Sequence, residues 1–435
     1  MKKVDNLLEK ISDKSAVIGV IGLGYVGLPL AVAAAEKGYD VIGFDIDKEK
    51  IKKLTNRENY IKDIDDMILK EVIDNKKFRA VSKKCYLVNA DIIVVCVPTP
   101  LNRKRKPDLS YMCSAAKIIK AVLRQEQLII IESTTYPGTT EDVFKKILEE
   151  TKLKAGKDFY LAFSPERIDP ANAVYNVKNT PKIVGGYDSD SALATQKFYQ
   201  SILNADVKVV SDLKTAEMTK ILENSYRLVN IALIFEIAKA CKKLRINVWE
   251  VIEAAKTKPY GFQAFYPGPG VGGHCIPIDP LYLTWRMREL GQEMPLIEKA
   301  STITEDMPKY IVKKSKRYLK RKHKHLKNSN VLLVGMSYKK DISDLRESPS
   351  LKILEHLEKK HAKVSYFDPY VPNFNHKNKL YESIQLDEVD KYDLVIICVN
   401  HSNIDYRYIY YNAKMIFDLK NVYGNFVEGN KVYSL

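Results

Sequence analysis

The segment from Val17 to Asp45 constrains this chain more than any other. An apolar run, Val17–Val20, leads into Gly22-Leu23-Gly24-Tyr25-Val26-Gly27, a helical pattern follows over Leu28–Gly38, and a short strand, Val41–Phe44, closes on Asp45. Strand, tight turn, helix and strand within about 30 residues make a dinucleotide-binding unit. The glycines let the backbone approach a pyrophosphate, and the N-terminus of the helix presents free N–H groups to it. Asp45 stands about 20 residues beyond the first glycine, where a carboxylate accepts hydrogen bonds from ribose hydroxyls and repels a 2′-phosphate, so the pattern predicts NAD over NADP. Lys50 is close enough in sequence to reach an adenosine phosphate or ribose. A purely structural glycine turn is the bland alternative, and the flanking strands and Asp45 weigh against it.

Further strands fit Ile92–Val97, Leu128–Glu132 and Tyr160–Phe163, with helical segments between them. Such alternation predicts a doubly wound, mostly parallel sheet. Thr99, in Val97-Pro98-Thr99-Pro100, and Thr134, after Glu132-Ser133, end strands on the carboxyl edge where the cofactor should lie. From Lys214 to about Lys243 apolar residues recur at helical spacing without proline or glycine, which predicts one long helix or two in tandem. A second α/β unit starts at Val331–Val334 and echoes the first: Asp393-Leu-Val-Ile-Ile-Cys-Val-Asn repeats the pattern of Asp91-Ile-Ile-Val-Val-Cys-Val-Pro. Its turn has lost the later glycines and reads Gly335-Met-Ser-Tyr-Lys339, with Arg346 following. Cationic side chains there would grip a phosphate in place of bare backbone. The expected fold class is α/β, two Rossmann-like doubly wound parallel-sheet domains joined by a central helical region. The expected boundaries are 1–210, 211–325 and 326–435.

Composition narrows the function. The apolar runs are strand-length and none approaches the roughly 18–20 residues of a membrane span, so no membrane association is expected. Met1–Asp13 alternates charged and apolar residues without the apolar stretch of a signal peptide. The six cysteines are scattered, which argues for a reducing compartment, against disulfides and against a metal site. These features predict a soluble cytoplasmic protein. The net charge of +16 raises nucleic acid as a partner, and its densest source is the basic run Lys313–Lys327. Without a zinc finger, an RNP motif or interleaved aromatics, that run reads as the solvated face of a helix leading into the next domain, and no nucleic-acid partner is expected.

Among the cysteines, Cys275 stands apart. It follows a loop with four glycines in six residues, Gly268 to Gly273, which admits substrate close to the backbone, and Asp279 comes four residues later. Cys96 and Cys398 lie within apolar strands and read as buried hydrophobes.

Taken in order, the motifs Gly22-Leu-Gly-Tyr-Val-Gly-Leu-Pro, Val97-Pro-Thr-Pro, Ser133-Thr-Thr-Tyr-Pro-Gly, Ser164-Pro-Glu166-Arg167, Glu217-Met-Thr-Lys220-Ile-Leu-Glu-Asn224, Gly272-Gly-His-Cys275 and Lys339-Lys-Asp through Arg346-Glu-Ser resemble the UDP-glucose/GDP-mannose dehydrogenase family from Ile18 to about Tyr423. The resemblance implies an N-terminal NAD domain, a central helical dimerisation region giving a homodimer or higher homo-oligomer, and a C-terminal UDP-binding domain. It also implies a mechanism. Cys275 captures the C6 aldehyde as a thiohemiacetal, a second oxidation gives a thioester, and water releases the uronic acid. Lys220 and Asn224, one helical turn apart, would hold water and the developing oxyanion. Asp279 would assist acid/base steps, Thr134 would place a water, and Glu166 would act as general base in hydrolysis. Glu166, Arg167, Lys220, Asn224, Tyr266, Gly272, Lys339 and Arg346 are the expected substrate contacts. Ile278 occupies the position where UDP-glucose 6-dehydrogenases usually carry a lysine. This departure, with Lys258–Phe262 and Phe265–Gly270, is similar to the branch acting on UDP-N-acetylglucosamine. That is the expected substrate, with UDP-glucose, UDP-N-acetylgalactosamine and UDP-N-acetylmannosamine as alternatives. A two-electron NAD dehydrogenase and a non-catalytic nucleotide sensor are the rival functions.

Overall fold

The computed structural model describes residues 3–61, 63–102, 104–169, 172, 174–424 and 431–435. The chain forms two compact units, residues 1–223 with 285–291, and residues 224–284 with 292–435.

The first unit is built on an eight-stranded sheet. Its strands are β1 (Val17–Ile21), β2 (Asp40–Phe44), β3 (Phe78–Val81), β4 (Ile92–Val95), β5 (Leu128–Ile131), β6 (Tyr160–Phe163), β7 (Lys182–Gly186) and β8 (Val207–Val210). They lie in the order β3-β2-β1-β4-β5-β6-β7-β8, all parallel neighbours except the antiparallel pair β6–β7. The central strands are continuous apolar runs because helices cover both faces. Along β4 and β5, Ile92, Val94, Leu128 and Ile130 enter one core, and Ile93, Val95, Ile129 and Ile131 enter the other. The helix Gly27–Glu36, almost wholly buried, links β1 to β2.

The second unit carries a five-stranded parallel sheet of β9 (Asn330–Val334), β10 (Lys363–Phe367), β13 (Leu394–Ile397), β14 (Ile416–Asp418) and β15 (Val432–Ser434), in the order β10-β9-β13-β14-β15. A separate hairpin pairs β11 (Asn373–His376) with β12 (Lys379–Glu382). Helix Met307–Arg321 buries Ile311, Val312, Tyr318 and Leu319 in a core shared with Phe235, Leu333 and Phe417, while Lys313, Lys316, Arg317, Lys320 and Arg321 stay exposed on its other side.

The echo seen in sequence is an echo of hydrogen bonding. Asp91, just before β4, accepts from the first N–H of β1 (Val17) at 2.9 Å, and Asp393, just before β13, accepts from the first N–H of β9 (Asn330) at 2.9 Å. Each aspartate satisfies a donor that its sheet leaves unpaired at the strand start. The predicted long helix is a single one, Leu213–Leu244, of 32 residues.

Candidate active site

In the first unit the three glycines of the turn meet different demands. Gly22 has φ +95°, and a Cβ there would sit 2.6 Å from the Cys96 carbonyl, so the turn at the end of β1 admits only glycine. A Cβ on Gly27 would fall 1.9 Å from the Gly22 carbonyl, so this glycine lets the helix close against the turn. Gly24 has open space in front of it, leaving the backbone accessible to a pyrophosphate. Tyr25 is exposed and Val26 half-buried beside it, and the Tyr60 hydroxyl pins the turn by donating to the Leu23 carbonyl at 2.7 Å.

Asp45 ends β2 as expected and is 6% exposed. Its carboxylate accepts from Leu23 N–H and Asp47 N–H, each at 2.9 Å, which aims it along the turn. Lys50 pairs with the same carboxylate at 3.0 Å. Thr99 is buried and Thr134 half-buried beyond the ends of β4 and β5. The residues present therefore fit a dinucleotide: a bare-backbone turn at a helix N-terminus and an anchored acidic group at the end of the next strand.

Beyond the ends of β5 and β6 lies a buried charged cluster that sequence reading left unassigned apart from Glu166. Lys182, 4% exposed, pairs with Glu132 and lies 3.0 Å from Glu166 Oε2. Tyr199 and the thiol of Cys96 also donate to Glu132. Glu166 Oε1 accepts from Arg167 N–H at 2.6 Å and Ile168 N–H at 2.7 Å. Burial works to raise the Glu166 carboxyl, but Lys182 and those backbone donors outweigh it and hold the group below the usual range. Burial raises Glu132 instead. Arg167 is drawn to Glu223 at 2.7 Å. Glu217 accepts from Gly138 N–H, Thr140 N–H and the Thr140 hydroxyl, tying the start of the long helix to the turn after Thr134.

In the second unit, Cys275 is exposed in a turn whose closing carbonyl, its own, accepts from Ile278 N–H at 3.1 Å and Asp279 N–H at 2.8 Å. The turn runs directly into helix Asp279–Glu289. Asp279, 1% exposed, accepts from the Asn224 side-chain amide at 2.6 Å, so two residues far apart in sequence meet in the same unit as the cysteine. Ile278 is buried. Lys220, 7% exposed, belongs to the first unit and precedes Asn224 by four residues along helix Leu213–Leu244.

The glycine loop before Cys275 packs on the segment after β9. A Cβ on Gly272 would lie 2.6 Å from Tyr338 Cβ and 2.9 Å from Pro349, and Gly273 N–H donates to the Arg346 carbonyl at 3.0 Å. The segment carrying Lys339 and Arg346 is thus set against the loop that precedes Cys275. Arg346 holds Asp344 through Nε and Nη2, the latter at 2.6 Å. Lys420, which sequence reading missed, places its ammonium 3.3 Å from where a Cβ of Gly268 would be, and burial pushes that ammonium below its ordinary range. Tyr266 stacks on Trp249 and donates to Glu253 at 2.7 Å.

In the second unit the acidic group beside the turn has different company. Asp368, at the position equivalent to Asp45, accepts from Met336 N–H, Ser337 N–H and the buried His401, which spends the carboxylate within the protein.

A fold with two such domains, one fitted to a dinucleotide and one carrying a cysteine loop against a cationic segment, defines a nucleotide-sugar dehydrogenase. The chain belongs to the UDP-glucose/GDP-mannose dehydrogenase family: its NAD binding domain matches residues 16–203, its central domain 214–306 and its UDP binding domain 332–425. The enzyme is an NAD-dependent UDP-sugar dehydrogenase. Similar proteins include a UDP-N-acetyl-D-mannosamine dehydrogenase from Methanocaldococcus jannaschii, 36% identical over 96% of both chains. A UDP-N-acetyl-D-glucosamine 6-dehydrogenase from Salmonella typhi is 32% identical over 93% of this chain and 96% of its own. The solved UDP-D-ManNAc dehydrogenase of Pyrococcus horikoshii superposes with a TM-score of 0.88 at 33% identity, covering 96% of this chain and 98% of the other. No helix among the described residues is long and apolar enough to cross a membrane.

Proposed function

We propose that this enzyme oxidises the C6 hydroxyl of a UDP-N-acetylhexosamine to the carboxylate through a covalent thioester on Cys275. The observation that carries the reading is the exposed cysteine in its turn, followed by Asp279 held by Asn224. NAD, when bound, accepts a hydride in each of two oxidations. The turn Gly22, Gly24, Tyr25, Val26 and Gly27 would hold its pyrophosphate, Asp45 its ribose, with Lys50, Thr99 and Thr134 along the same edge.

The chain's own residues do the rest. Asp279 takes the C6 hydroxyl proton in the first oxidation. The Cys275 thiolate adds to the aldehyde carbon, and Lys220 and Asn224 donate to the oxyanion that forms. After the second oxidation water attacks the thioester: a C–O bond forms, the C–S bond breaks, Cys275 leaves as thiolate, and Glu166 takes the water proton. Lys339, Arg346 and Gly272 would hold the UDP portion, with Arg167 and Tyr266 further contacts.

Sequence resemblance pointed to the gluco epimer. The 36% and 33% identical relatives named for the manno epimer shift the weight to UDP-N-acetylmannosamine, with UDP-N-acetylglucosamine second. The acetamido group is common to both, and a site that binds it should favour either over UDP-glucose at least ~10-fold in kcat/KM.

Central residues 211–325 are proposed to form a homodimer. On helix Leu213–Leu244, Met218, Leu222, Tyr226, Leu233, Ile237 and Leu244 are exposed at spacings of four and seven residues, a row that a second copy would cover.

A panel of UDP-sugars and GDP-mannose, followed by NADH absorbance, tests the reaction. The expected result is two NADH per sugar with an acetamido substrate, and a loss beyond ~100-fold for Cys275→Ser with substrate binding kept, since serine without an activating base is a poor nucleophile. One NADH per sugar would establish the two-electron reading instead. Undiminished turnover by the serine variant would remove the thioester.

A further inference from the structure

We propose that Lys182 is the positioning residue for Glu166, fixing the carboxylate that receives the water proton in thioester hydrolysis; this rests on the role given to Glu166 above. The placement follows from topology. Strand β7 runs antiparallel to β6, pairing Ala162 with Gly186 and Phe163 with Gly185. Continuing that register past the end of β6 sets Lys182, the first residue of β7, opposite Glu166. The one reversed strand pair in the sheet therefore brings a lysine to the edge where β5 and β6 deliver Glu132 and Glu166.

The cluster divides labour between its two carboxylates. Glu132 is 1% exposed and is met by Lys182, Tyr199 and Cys96, which leaves it buried as a counter-charge. Glu166 is half-buried; two backbone N–H groups take Oε1 and Lys182 approaches Oε2 at 3.0 Å. With three donors fixed, the carboxylate has one orientation, and a remaining lone pair on Oε2 can accept from water. A lysine buried against two carboxylates cannot leave without stranding both charges, so its ammonium holds Glu166 more rigidly than a surface pair would. Lys182 touches neither substrate nor cofactor in this scheme and acts only through Glu166.

Removing a buried cation can unfold a protein, so the informative variant is the double change Lys182→Met with Glu132→Gln, which takes out the ammonium and its counter-charge together. Lys182→Arg is the conservative control. Each is assayed as the full-length enzyme with the best substrate of the panel, following the early NADH burst, the steady rate, its pH dependence and the intact mass of the protein. The expected result for the double variant is a burst of up to two NADH per site, a sugar adduct on Cys275 in the mass spectrum, and a steady rate down at least ~30-fold. KM for NAD should change by less than about threefold, and the acidic limb of the rate profile should move to higher pH, because Glu166 has lost its cation. Lys182→Arg should recover most of the rate and the original profile. A double variant that folds, hydrolyses its adduct at the wild-type rate and keeps the wild-type profile would overturn the proposal. So would a rate lost only in proportion to folded protein. Glu166→Gln separates the two readings. If it accumulates no adduct and keeps its rate, the assignment of Glu166 itself fails; if it accumulates adduct while the double variant does not, Lys182 alone is misassigned.

Discussion

Asp45 shows how one side chain links a sequence pattern to a cofactor. Its two oxygens are each held by one backbone N–H, which aims the carboxylate along the glycine turn, and Lys50 offsets part of its charge. A charged acceptor in that position should stabilise NAD through the ribose hydroxyls. Asp45→Ala is accordingly expected to weaken NAD binding by about 1–3 kcal/mol and to reduce discrimination against NADP. Titration calorimetry with both cofactors would measure this, and unchanged affinity with undiminished discrimination would show that the ribose is held elsewhere. Asp45 was legible in sequence because its role is local, about 20 residues from the turn it serves. Lys182 was not. It opens an ordinary strand, and only the antiparallel register makes it a neighbour of Glu166.

At the level of elements, helix Met307–Arg321 and the C-terminal part of helix Leu213–Leu244 bring several cations together. Lys239 and Lys314 both lie within 5.3 Å of the Tyr310 ring centroid, and Arg321 lies over Tyr318. Lys242, half-buried among them, donates to the Ser434 carbonyl at 2.7 Å. Burial first, then Lys314 and Arg321, push its ammonium down to about 8 from the ordinary 10.5. A cation whose folded value is depressed binds its proton less readily in the native than in the unfolded state. Stability is therefore reduced below about pH 8 and recovers as pH rises towards 10.5. Lys242→Met should raise stability by about 1 kcal/mol at pH 7, a figure that already allows for partial solvent exposure and the lost hydrogen bond. The gain should vanish near pH 10.5. Urea unfolding at the two pH values would test it; a variant less stable at pH 7 would mean the hydrogen bond outweighs the crowding.

For the whole molecule, the exposed apolar row on the long helix makes a quantitative claim about assembly. Leu222 is 61% exposed and Leu233 52%, on a helix whose other faces are buried in the cores or polar. Isolated chains rarely leave so regular an apolar row in water, and a symmetric pairing of two copies would remove it. Sedimentation at micromolar concentration is expected to give a dimer for the wild type and a monomer for the Leu222→Glu, Leu233→Glu double variant. A monomeric wild type would rule the pairing out.

The glycine turn, the strand and helix pattern and the long central helix could all be read from the chain because each depends on neighbours within one or two turns, where spacing alone specifies the backbone. The loss of glycines in the second nucleotide turn was legible too, but the partner of its acidic group was not: Asp368 meets His401, 33 residues away. The same holds for Gly272, forced to be glycine by Tyr338 and Pro349, and for Lys420 beside Gly268. Asn224 and Asp279 meet across 55 residues of chain. Sequence patterns carry short-range geometry, whereas the company a charged side chain keeps is set by strand order and register. In this protein the reversed strand β7 and the packing of the cysteine loop on the segment after β9 made those choices.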